Sequence, residues 1–287
     1  MHQKCLICSS LSLSVLENYK KHHLCKCTTC NFVFAKKIPT PAELETHYEG
    51  YERNDYLSPI TIKRYNELLD KFEKYKQTKN LLDVGCGIGY FLEEAKKRGW
   101  NVYGTEYTDK AIEICESKGI KMFKGKLNPK DFEEIKFDIL TSFEVIEHIN
   151  NPIEELNNFN SLLRNQGVVY VTTPNFNSLL RYKLKAAYNV ICYPEHLSYY
   201  TPQTLTRVFI ETGFKKEKIE TTGISITRLK TSQGKSKQAY ISKKSDDEVL
   251  RNKMETNKIL GFVKIVVNFA LTILGKGDSL KGIFVKN

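Results

Sequence analysis

Short apolar runs alternate with segments of helical period through the middle of the chain. From Leu81 to about residue 213, apolar residues fall either in runs of four to seven or at every third or fourth position. This alternation is typical of parallel strands joined by crossover helices, so the fold class is α/β. The pattern predicts strands at 81–84, 101–105, 120–124, 137–142 and 167–173, and helices at 89–98, 108–118, 152–164 and 202–212.

The flanking regions have different patterns. Before the alternating region, a short helix at 41–48 and a longer one at 58–75 are separated by an irregular aromatic and polar segment, residues 48–57. That segment holds Tyr48, Tyr51, Arg53, Asp55 and Tyr56. After the alternating region, the pattern predicts a long strand at 215–229, a polar stretch at 230–246, a helix at 247–274 and a final strand at 279–285.

One connection in the alternating region is unusually long. Residues 175–201 exceed the usual length of a strand-to-helix link, and long loops in compact domains tend to carry function. We therefore predict a substrate loop that closes over a polar, anionic acceptor such as a nucleotide sugar. Its polar and aromatic residues are Arg181, Lys183, Lys185, Tyr188, Tyr193, Glu195, His196, Tyr199 and Tyr200.

The segment 259–274 is apolar but short. Its sixteen residues include Lys264 and Asn268 and fall below the ~20 residues that a membrane-spanning helix needs. We predict a helix that covers a face of the sheet, with an interfacial helix in peripheral membrane contact as the alternative. The first ten residues are polar and carry cysteines, which predicts no signal peptide and a cytoplasmic protein.

The net charge of +11 is concentrated at the two ends. Residues 1–40 hold six Lys and Arg against one acidic residue, and residues 227–287 hold thirteen against five. The middle of the chain, 41–226, is nearly neutral, with twenty-five basic against twenty-seven acidic residues. Basic ends can contact a polyanion or a membrane surface, or simply form a solvated surface, and the neutral centre argues against nucleic acid as the partner.

Five of the eight cysteines lie within the first thirty residues. Two C-x-x-C pairs, Cys5/Cys8 and Cys27/Cys30, are separated by eighteen residues, the spacing of a zinc ribbon. Apolar alternation between the pairs predicts a short hairpin. We assign these four thiolates as ligands of a structural Zn²⁺, and Cys25, His22 and His23 remain alternatives for the fourth position.

A glycine-rich turn follows the first strand of the alternating region. The sequence LLDVGCGIGYF runs from Leu81 to Phe91 and reads as strand, tight turn and helix. The next strand ends in Glu106, where a carboxylate can accept both hydroxyls of a ribose. Glycines, strand context and this acid together predict a nucleoside cofactor. Because the spacing is G-x-G-x-G rather than G-x-G-x-x-G, NAD or another nucleotide is the weaker alternative.

The motif D-V-G-C-G-I-G resembles the class I S-adenosylmethionine (SAM) methyltransferases. The resemblance implies a Rossmann-like sheet of seven strands whose last strand inserts antiparallel between the fifth and sixth. It also implies that an acid and the glycine backbone hold the methionine end of SAM and that the acid after the second strand holds the ribose. The cofactor residues carried over are Asp83, Gly85, Cys86, Gly87, Glu106, Tyr107 and Phe143.

Ionisable residues follow the fourth predicted strand. Ligands of open α/β sheets bind outside the carboxyl ends of the strands, and Glu144, Glu147 and His148 fall there. With His196 of the substrate loop, they are the candidate catalytic residues, as a general base or as part of a metal site. The alternative is that Glu147 and His148 only order the loop and that His196 bonds to a backbone carbonyl.

Two further resemblances concern the acceptor. The segments FEVIEHI, VVYVTTPN and PEHLSYYT are similar to those of ubiquinone-biosynthesis O-methyltransferases, some of which are taken to bind a divalent metal through the residues matching Glu144, Glu147 and His148. The order of zinc module, Pro-Thr-Pro link and SAM domain resembles bacterial methyltransferases of sugar and cell-surface polysaccharide pathways. The related sugar C-methyltransferases carry a further C-terminal domain that this chain lacks, which favours O- or N-methylation.

These observations predict three parts: a zinc ribbon at 1–38, a helical linker or lid at 39–78, and a SAM domain at 79–287 with a helical insertion at about 230–276. The leading hypothesis is an enzyme that methylates a small polar acceptor. An RNA methyltransferase with a cysteine-rich N-terminal module and a quinone-pathway O-methyltransferase are the enzymatic alternatives. A ribbon that docks proteins on an inactive SAM fold is the non-enzymatic one, and the intact cofactor residues argue against it.

Overall fold

A computed structural model describes residues 1–48, 56–235, 243 and 245–287. Its strands are β1 (Leu13–Val15), β2 (Leu24–Cys27), β3 (Val33–Ala35), β4 (Asn80–Val84), β5 (Asn101–Glu106), β6 (Lys121–Lys124), β7 (Phe137–Phe143), β8 (Leu163–Pro174), β9 (Ser198–Tyr199), β10 (Phe214–Thr222) and β11 (Ser279–Lys286). Its helices are α1 (Pro41–Tyr48), α2 (Pro59–Phe72), α3 (Tyr90–Lys97), α4 (Asp109–Ser117), α5 (Pro152–Leu162), α6 (Leu179–Leu184), α7 (Pro202–Glu211), α8 (Ile226–Ser232), α9 (Asp246–Thr256) and α10 (Lys258–Leu274).

The larger sheet has seven strands in the order β10-β11-β8-β7-β4-β5-β6. Strands β4 to β8 run parallel, and β11 lies antiparallel between β8 and β10. The central strands β4 and β7 are almost fully buried and have apolar residues on both faces, because helices cover both faces of the sheet. This order confirms the predicted Rossmann-like methyltransferase sheet, including the antiparallel insertion of its last strand.

A second sheet joins the N-terminal region to the predicted substrate loop. Its order is β1-β2-β3-β9, in which the ribbon supplies three strands and residues 198–199 supply the fourth. Phe32 of the ribbon packs on Tyr200, and Tyr19 packs on Phe176. The hairpin expected between the two cysteine pairs is present as β1 and β2. Ribbon and loop therefore fold as one unit on the main domain.

Two predicted elements after β10 are wrong in their extent. The strand predicted at 215–229 ends at Thr222, because Gly223 has a positive φ and Ser225 caps α8 through its hydroxyl. The helix predicted at 247–274 is two helices, α9 and α10, which meet at an angle of 113°. Asn257 causes the break, since its side-chain oxygen caps the amides of Ile259 and Leu260.

The remaining boundaries agree closely with the pattern, except that α5 passes into β8 at Leu163, so that this strand begins four residues earlier than expected. The predicted substrate loop contains α6 and β9 and buries Tyr188 and Leu197, so it is more ordered than a mobile lid. Of the irregular segment 48–57, Tyr51, Arg53 and Asp55 lie outside the described residues, as does most of the polar stretch beyond residue 235.

A buried ion pair between Asp138 of β7 and Arg164 of β8 joins these two strands near their amino ends. The Asp138 carboxylate is fully buried and accepts from Arg164 Nε (2.5 Å), Gln77 N (2.8 Å) and Lys79 N (2.8 Å). Removing one partner of such a pair leaves a charge and two amide donors without compensation.

We expect Asp138→Ala to lower the free energy of unfolding by about 3–5 kcal/mol in urea denaturation. The control is Asp70→Ala, whose carboxylate pairs with Arg98 but is 67% exposed, and which should cost less than about 1 kcal/mol. Equal losses in the two variants would contradict the role assigned to burial.

Candidate functional site

The glycine turn lies between β4 and α3 and requires glycine at its first position. Gly85, Gly87 and Gly89 all have positive φ, at 71°, 62° and 76°. A Cβ atom at Gly85 would lie 2.6 Å from Cγ2 of Val145, a contact that side chains do not make. The amides of Gly85 and Cys86 donate to the carbonyl of Thr105 at 3.0 and 3.1 Å, which holds the turn against β5.

Two carboxylates flank this turn. Asp83 is 3% exposed and accepts from Thr141 Oγ1 at 2.7 Å, and burial raises its pKa to about 8 despite that hydrogen bond. Glu106 accepts from Gly87 N at 3.0 Å and from Tyr107 N at 2.9 Å. These two amides orient the Glu106 carboxylate at the carboxyl end of β5, where the sequence places a ribose.

The other three predicted cofactor residues have different surroundings. The Cys86 thiol points away from the turn and lies 4.0 Å from Met122 Sδ. A ligand in the turn would therefore contact the backbone of Cys86 and not its thiol. Tyr107 is 65% exposed. Phe143 packs edge to face on Phe91 and Tyr170, with ring centroids 5.0 and 5.6 Å apart. Phe143 therefore builds an aromatic floor between α3 and β8.

The four predicted zinc ligands converge. One sulfur each from Cys5, Cys8, Cys27 and Cys30 lies within 4.8 Å of the others, with Cys5–Cys30 at 3.4 Å and Cys8–Cys27 at 3.6 Å. Tetrahedral Zn–S bonds of about 2.3 Å place sulfurs at such separations, so the four residues fit Zn²⁺ and leave it no open position.

The alternatives for the fourth zinc ligand lie elsewhere. The Cys25 thiol donates to the Phe34 carbonyl at 3.6 Å and is not part of the group. His23 packs on the ring of Tyr193, with centroids 4.8 Å apart. The geometry thus favours the two C-x-x-C pairs as the ligand set.

Beyond β7 the chain makes a tight turn that carries the ionisable residues. Glu144 has a positive φ of 53°, which is uncommon for a residue with a side chain, and its amide donates to the Thr172 carbonyl at 3.0 Å. Glu147 is 2% exposed, and one carboxylate oxygen, Oε2, has no hydrogen-bond partner among the described residues. Burial raises the pKa of Glu147 well above its usual range, and the neighbouring Glu144 adds to this rise.

The substrate loop brings a second histidine against this turn. The rings of His148 and His196 stack edge to face with centroids 4.8 Å apart. Each ring is oriented by a carbonyl: Nδ1 of His148 contacts the Glu195 oxygen at 2.9 Å, and Nδ1 of His196 contacts the Val190 oxygen at 2.8 Å. Burial lowers the pKa of both histidines, so both are neutral near pH 7.

One ligand atom each from Glu147, His148 and His196 lies within 4.8 Å of the others. The metal set expected from the sequence was Glu144, Glu147 and His148. In the structure His196 joins the last two, and Glu144 is not in the group. The donor types of this trio, two imidazoles and a carboxylate, suit a divalent metal as well as a proton relay.

Sequence reasoning missed Arg228 of α8. Burial lowers the pKa of His196, His148 adds to the effect, and the charge of Arg228 contributes further. The same charge opposes the rise in the pKa of Glu147, and the charges of Tyr188 and Glu144 raise the pKa of Arg228 in turn. Because residues 215–229 read as one strand, nothing in the pattern indicated that Arg228 would act on the histidines, and only the Gly223–Ser225 break could have signalled it.

The seven-stranded sheet, its glycine turn and the two acids at the carboxyl ends of β4 and β5 define the class I SAM-dependent methyltransferase fold. Residues 53–219 match the model of a methyltransferase-domain family, and the chain belongs to that family.

Among curated relatives, the ubiquinone biosynthesis O-methyltransferase of Actinobacillus pleuropneumoniae serotype 7 is 31% identical over 108 residues, which are 34% of this chain and 46% of the relative. The mitochondrial enzyme of the same name from Saccharomyces cerevisiae is 34% identical over 105 residues, 33% of this chain and 34% of the relative. The chain thus spans less than half the length of these curated relatives.

Among solved structures, a SAM-dependent methyltransferase from Archaeoglobus fulgidus superposes with a TM-score of 0.53 at 20% identity. The superposition covers 85% of this chain and 99% of that protein. At this identity the likeness concerns the fold, and it supports the strand order described above.

Proposed function

We propose that the protein transfers the methyl group of SAM to an oxygen or nitrogen atom of a small, polar, anionic acceptor, such as a sugar or nucleotide sugar. Asp83, Glu106 and the amides of the glycine turn are the residues proposed to hold SAM. When bound, SAM supplies an electrophilic methyl carbon, and the acceptor atom forms a bond to it as the carbon–sulfur bond breaks. Most of the acceleration then comes from holding the two reactants in line.

The observation that carries the acceptor side of this proposal is the buried pair His148 and His196. Both rings are neutral near pH 7 and are fixed by backbone carbonyls at the edge of the sheet where β7 and β8 end. A neutral imidazole with its Nδ1–H donated to a carbonyl keeps a lone pair on Nε2. Such a nitrogen can accept the proton of an acceptor hydroxyl or amine as the methyl group arrives.

Arg228 supports an anionic acceptor. It belongs to an insertion that follows β10, and its charge acts on both Glu147 and His196. A planar guanidinium binds phosphate or carboxylate oxygens in bidentate fashion, which suits the diphosphate of a nucleotide sugar. We place this acceptor in cell-surface polysaccharide biosynthesis.

The quinone-pathway alternative draws on the named relatives, which are ubiquinone biosynthesis O-methyltransferases. A catechol acceptor could use the trio Glu147, His148 and His196 with a divalent metal.

Methyl transfer measured against a nucleotide-sugar panel, a catechol and ribosomal RNA, with and without added Mg²⁺ or Mn²⁺, separates these candidates. We expect turnover with nucleotide sugars; turnover with the catechol or with RNA alone would replace the proposal.

Replacing either histidine should slow turnover without weakening SAM binding. We expect His196→Asn and His148→Asn each to lower kcat by about 10²- to 10⁴-fold, the range for loss of a general base. The dissociation constant of SAM should stay within about twofold, because Asp83 and Glu106 lie on other strands. Steady-state kinetics and calorimetry measure both effects.

The control for this pair is His2→Asn. His2 also contacts the turn after β7, through Asn150 at 2.7 Å, but it lies outside the histidine pair. It should retain turnover. Full activity in both the His148 and His196 variants would exclude them as the base.

A further inference from the structure

Helix α10 turns its polar side towards the protein and its apolar side outward, the reverse of a helix that covers a core. Its polar residues face the protein: Lys264 Nζ pairs with Glu255 at 2.8 Å, Asn268 accepts from Gly223 N at 2.9 Å, and Thr272 donates to the Thr221 carbonyl at 3.0 Å. Its large apolar residues point outward, and ten of them are exposed: Ile259, Leu260, Phe262, Val263, Ile265, Val266, Val267, Phe269, Ile273 and Leu274. The helix expected to cover the sheet with apolar residues therefore contacts the protein mainly with polar ones, and Leu271 is its one buried apolar residue.

The exposed apolar surface is larger than a soluble monomer usually presents. Phe262 and Phe269 are each 67% exposed, and Ile259 is 75% exposed. At ~150–200 Å² for each fully exposed side chain of this size, the ten residues present on the order of 1,000 Å², against the roughly 300–600 Å² of the largest patch on a typical monomer. This surface calls for an apolar partner.

The width of the apolar face bears on which partner it fits. At 100° per residue, the exposed apolar positions cover roughly 220° of the helix circumference. A packed protein partner contacts a stripe of about 100°, whereas the interfacial region of a bilayer surrounds a helix from every side that the protein leaves open. No single described helix is long and apolar enough to cross a membrane; α9 and α10 meet that measure only together, as a bent pair.

Charge around α10 matches an anionic surface. Lys258 and Lys276 lie at the two ends of α10, whereas Lys264 is paired with Glu255, and the segment 227–287 carries thirteen basic against five acidic residues. Lysines next to an apolar helix add attraction to anionic lipid head groups.

The helix is also attached to the site. Strands β10 and β11 place the insertion at the carboxyl edge of the parallel strands, and the Gly275 carbonyl accepts from Asn175 Nδ2 (3.0 Å) and Asn177 Nδ2 (3.1 Å). Those asparagines open the substrate loop. A surface that holds α10 therefore lies beside the edge where the acceptor enters.

We propose that α10 lies in the interfacial region of an anionic lipid bilayer and docks the protein on it, with the substrate loop beside the membrane surface. Lys258 and Lys276 at its two ends contact the head groups, and its outward apolar residues enter the acyl boundary. This docking is independent of the methyl transfer proposed above, because its test measures binding and not turnover.

The test is flotation of the full chain with vesicles of phosphatidylcholine alone and with 30% phosphatidylglycerol. We expect at least tenfold more protein bound to the anionic vesicles. The variant Phe262→Gln/Ile265→Gln/Phe269→Gln should lose at least nine tenths of that binding. A matched control, Leu11→Gln/Val15→Gln/Ile210→Gln, removes three exposed apolar side chains that belong to the ribbon and to α7 and not to α10, and it should bind like the unchanged protein.

Far-UV circular dichroism and SAM binding check that the variants are folded. The proposal is overturned if the unchanged protein stays with neither vesicle, if it binds both kinds equally, or if the α10 variant floats like the control. It is also overturned if sedimentation without lipid shows a dimer that the α10 variant breaks, since a second copy would then cover the helix.

Discussion

Asparagine in place of Asp83 will weaken SAM binding by about 30- to 4,000-fold, or about 2–5 kcal/mol, the usual cost of removing one partner of a buried charge pair. Asp83 is buried at the end of β4 and bonded to Thr141, so its carboxyl group is fixed before the ligand arrives. Once ionised, it meets the positive ammonium of the methionine end as a charge that water does not screen.

The same residue makes SAM binding depend on pH in a defined direction. The pKa of Asp83 in the free protein is raised to about 8 by burial, so the carboxyl must lose a proton to pair with the ligand. Affinity should rise up to tenfold per pH unit between pH 6 and 8 and level off above that value. Calorimetry at four pH values measures this slope, and Asp83→Asn should show none of it.

The free energy of unfolding should respond to the loss of the Asp83 carboxyl in the opposite direction to SAM affinity. Because the folded pKa of Asp83 lies above its unfolded value near 4, this group destabilises the ligand-free protein increasingly as pH rises towards 8. Asp83→Asn should therefore be more stable than the unchanged protein at pH 8 while binding SAM less well. Asp109→Asn, a control at an exposed carboxylate paired with Lys124, should change neither property. Wild-type affinity in Asp83→Asn would refute the assigned cofactor site.

Removing zinc will abolish turnover while leaving the glycine turn able to bind SAM. Metal binding to four thiolates contributes about 10–16 kcal/mol to the folding of small zinc modules, more than the short strands β1 to β3 can supply. Strand β9 pairs with β3, and the Ala35 amide donates to the Leu197 carbonyl at 2.8 Å. Loss of the ribbon thus releases the loop that positions His196.

We expect one equivalent of zinc per chain by atomic absorption, and at least a 100-fold fall in kcat after a strong chelator removes it. Cys27→Ser should behave like the chelated protein. Cys25→Ser is the matched control, because Cys25 is buried in the same hairpin but bonds to Phe34 and not to the metal group. The opposite outcome, full turnover in a metal-free protein, would show that the ribbon does not support the loop.

The alternating pattern predicted the fold because each strand and each helix of a parallel sheet leaves its own local signal in the sequence. Each buried strand such as β4 or β7 must be apolar on both faces, and each helix needs an apolar side, so both leave a period in the sequence. The proposed cofactor residues Asp83 and Glu106 could be predicted for the same reason: each lies at the end of a strand, and parallel strands bring their carboxyl ends to one edge. The two cysteine pairs were equally local, since spacing alone predicts their geometry.

What the sequence did not contain were contacts between distant segments. Nothing in residues 175–201 indicated that β9 pairs with the ribbon, or that His196 would lie 4.8 Å from His148. The charge of Arg228 acts on His196 because Gly223 and Ser225 end a strand that apolar periodicity continued. The orientation of α10 also depended on packing, because its few polar residues, Lys264, Asn268 and Thr272, lie on one side that the sequence alone would place in solvent.

The sequence was therefore enough to predict the parallel strands, the glycine turn and the cysteine group, because each leaves a local signal, and the antiparallel last strand followed from the family resemblance. Packing set the contact between His148 and His196, the effect of Arg228 on His196 and the side of α10 that faces outward. Spacing along the chain constrains local hydrogen bonds and periodicity, whereas the histidine pair is made by side chains that only packing of the whole domain brings within reach.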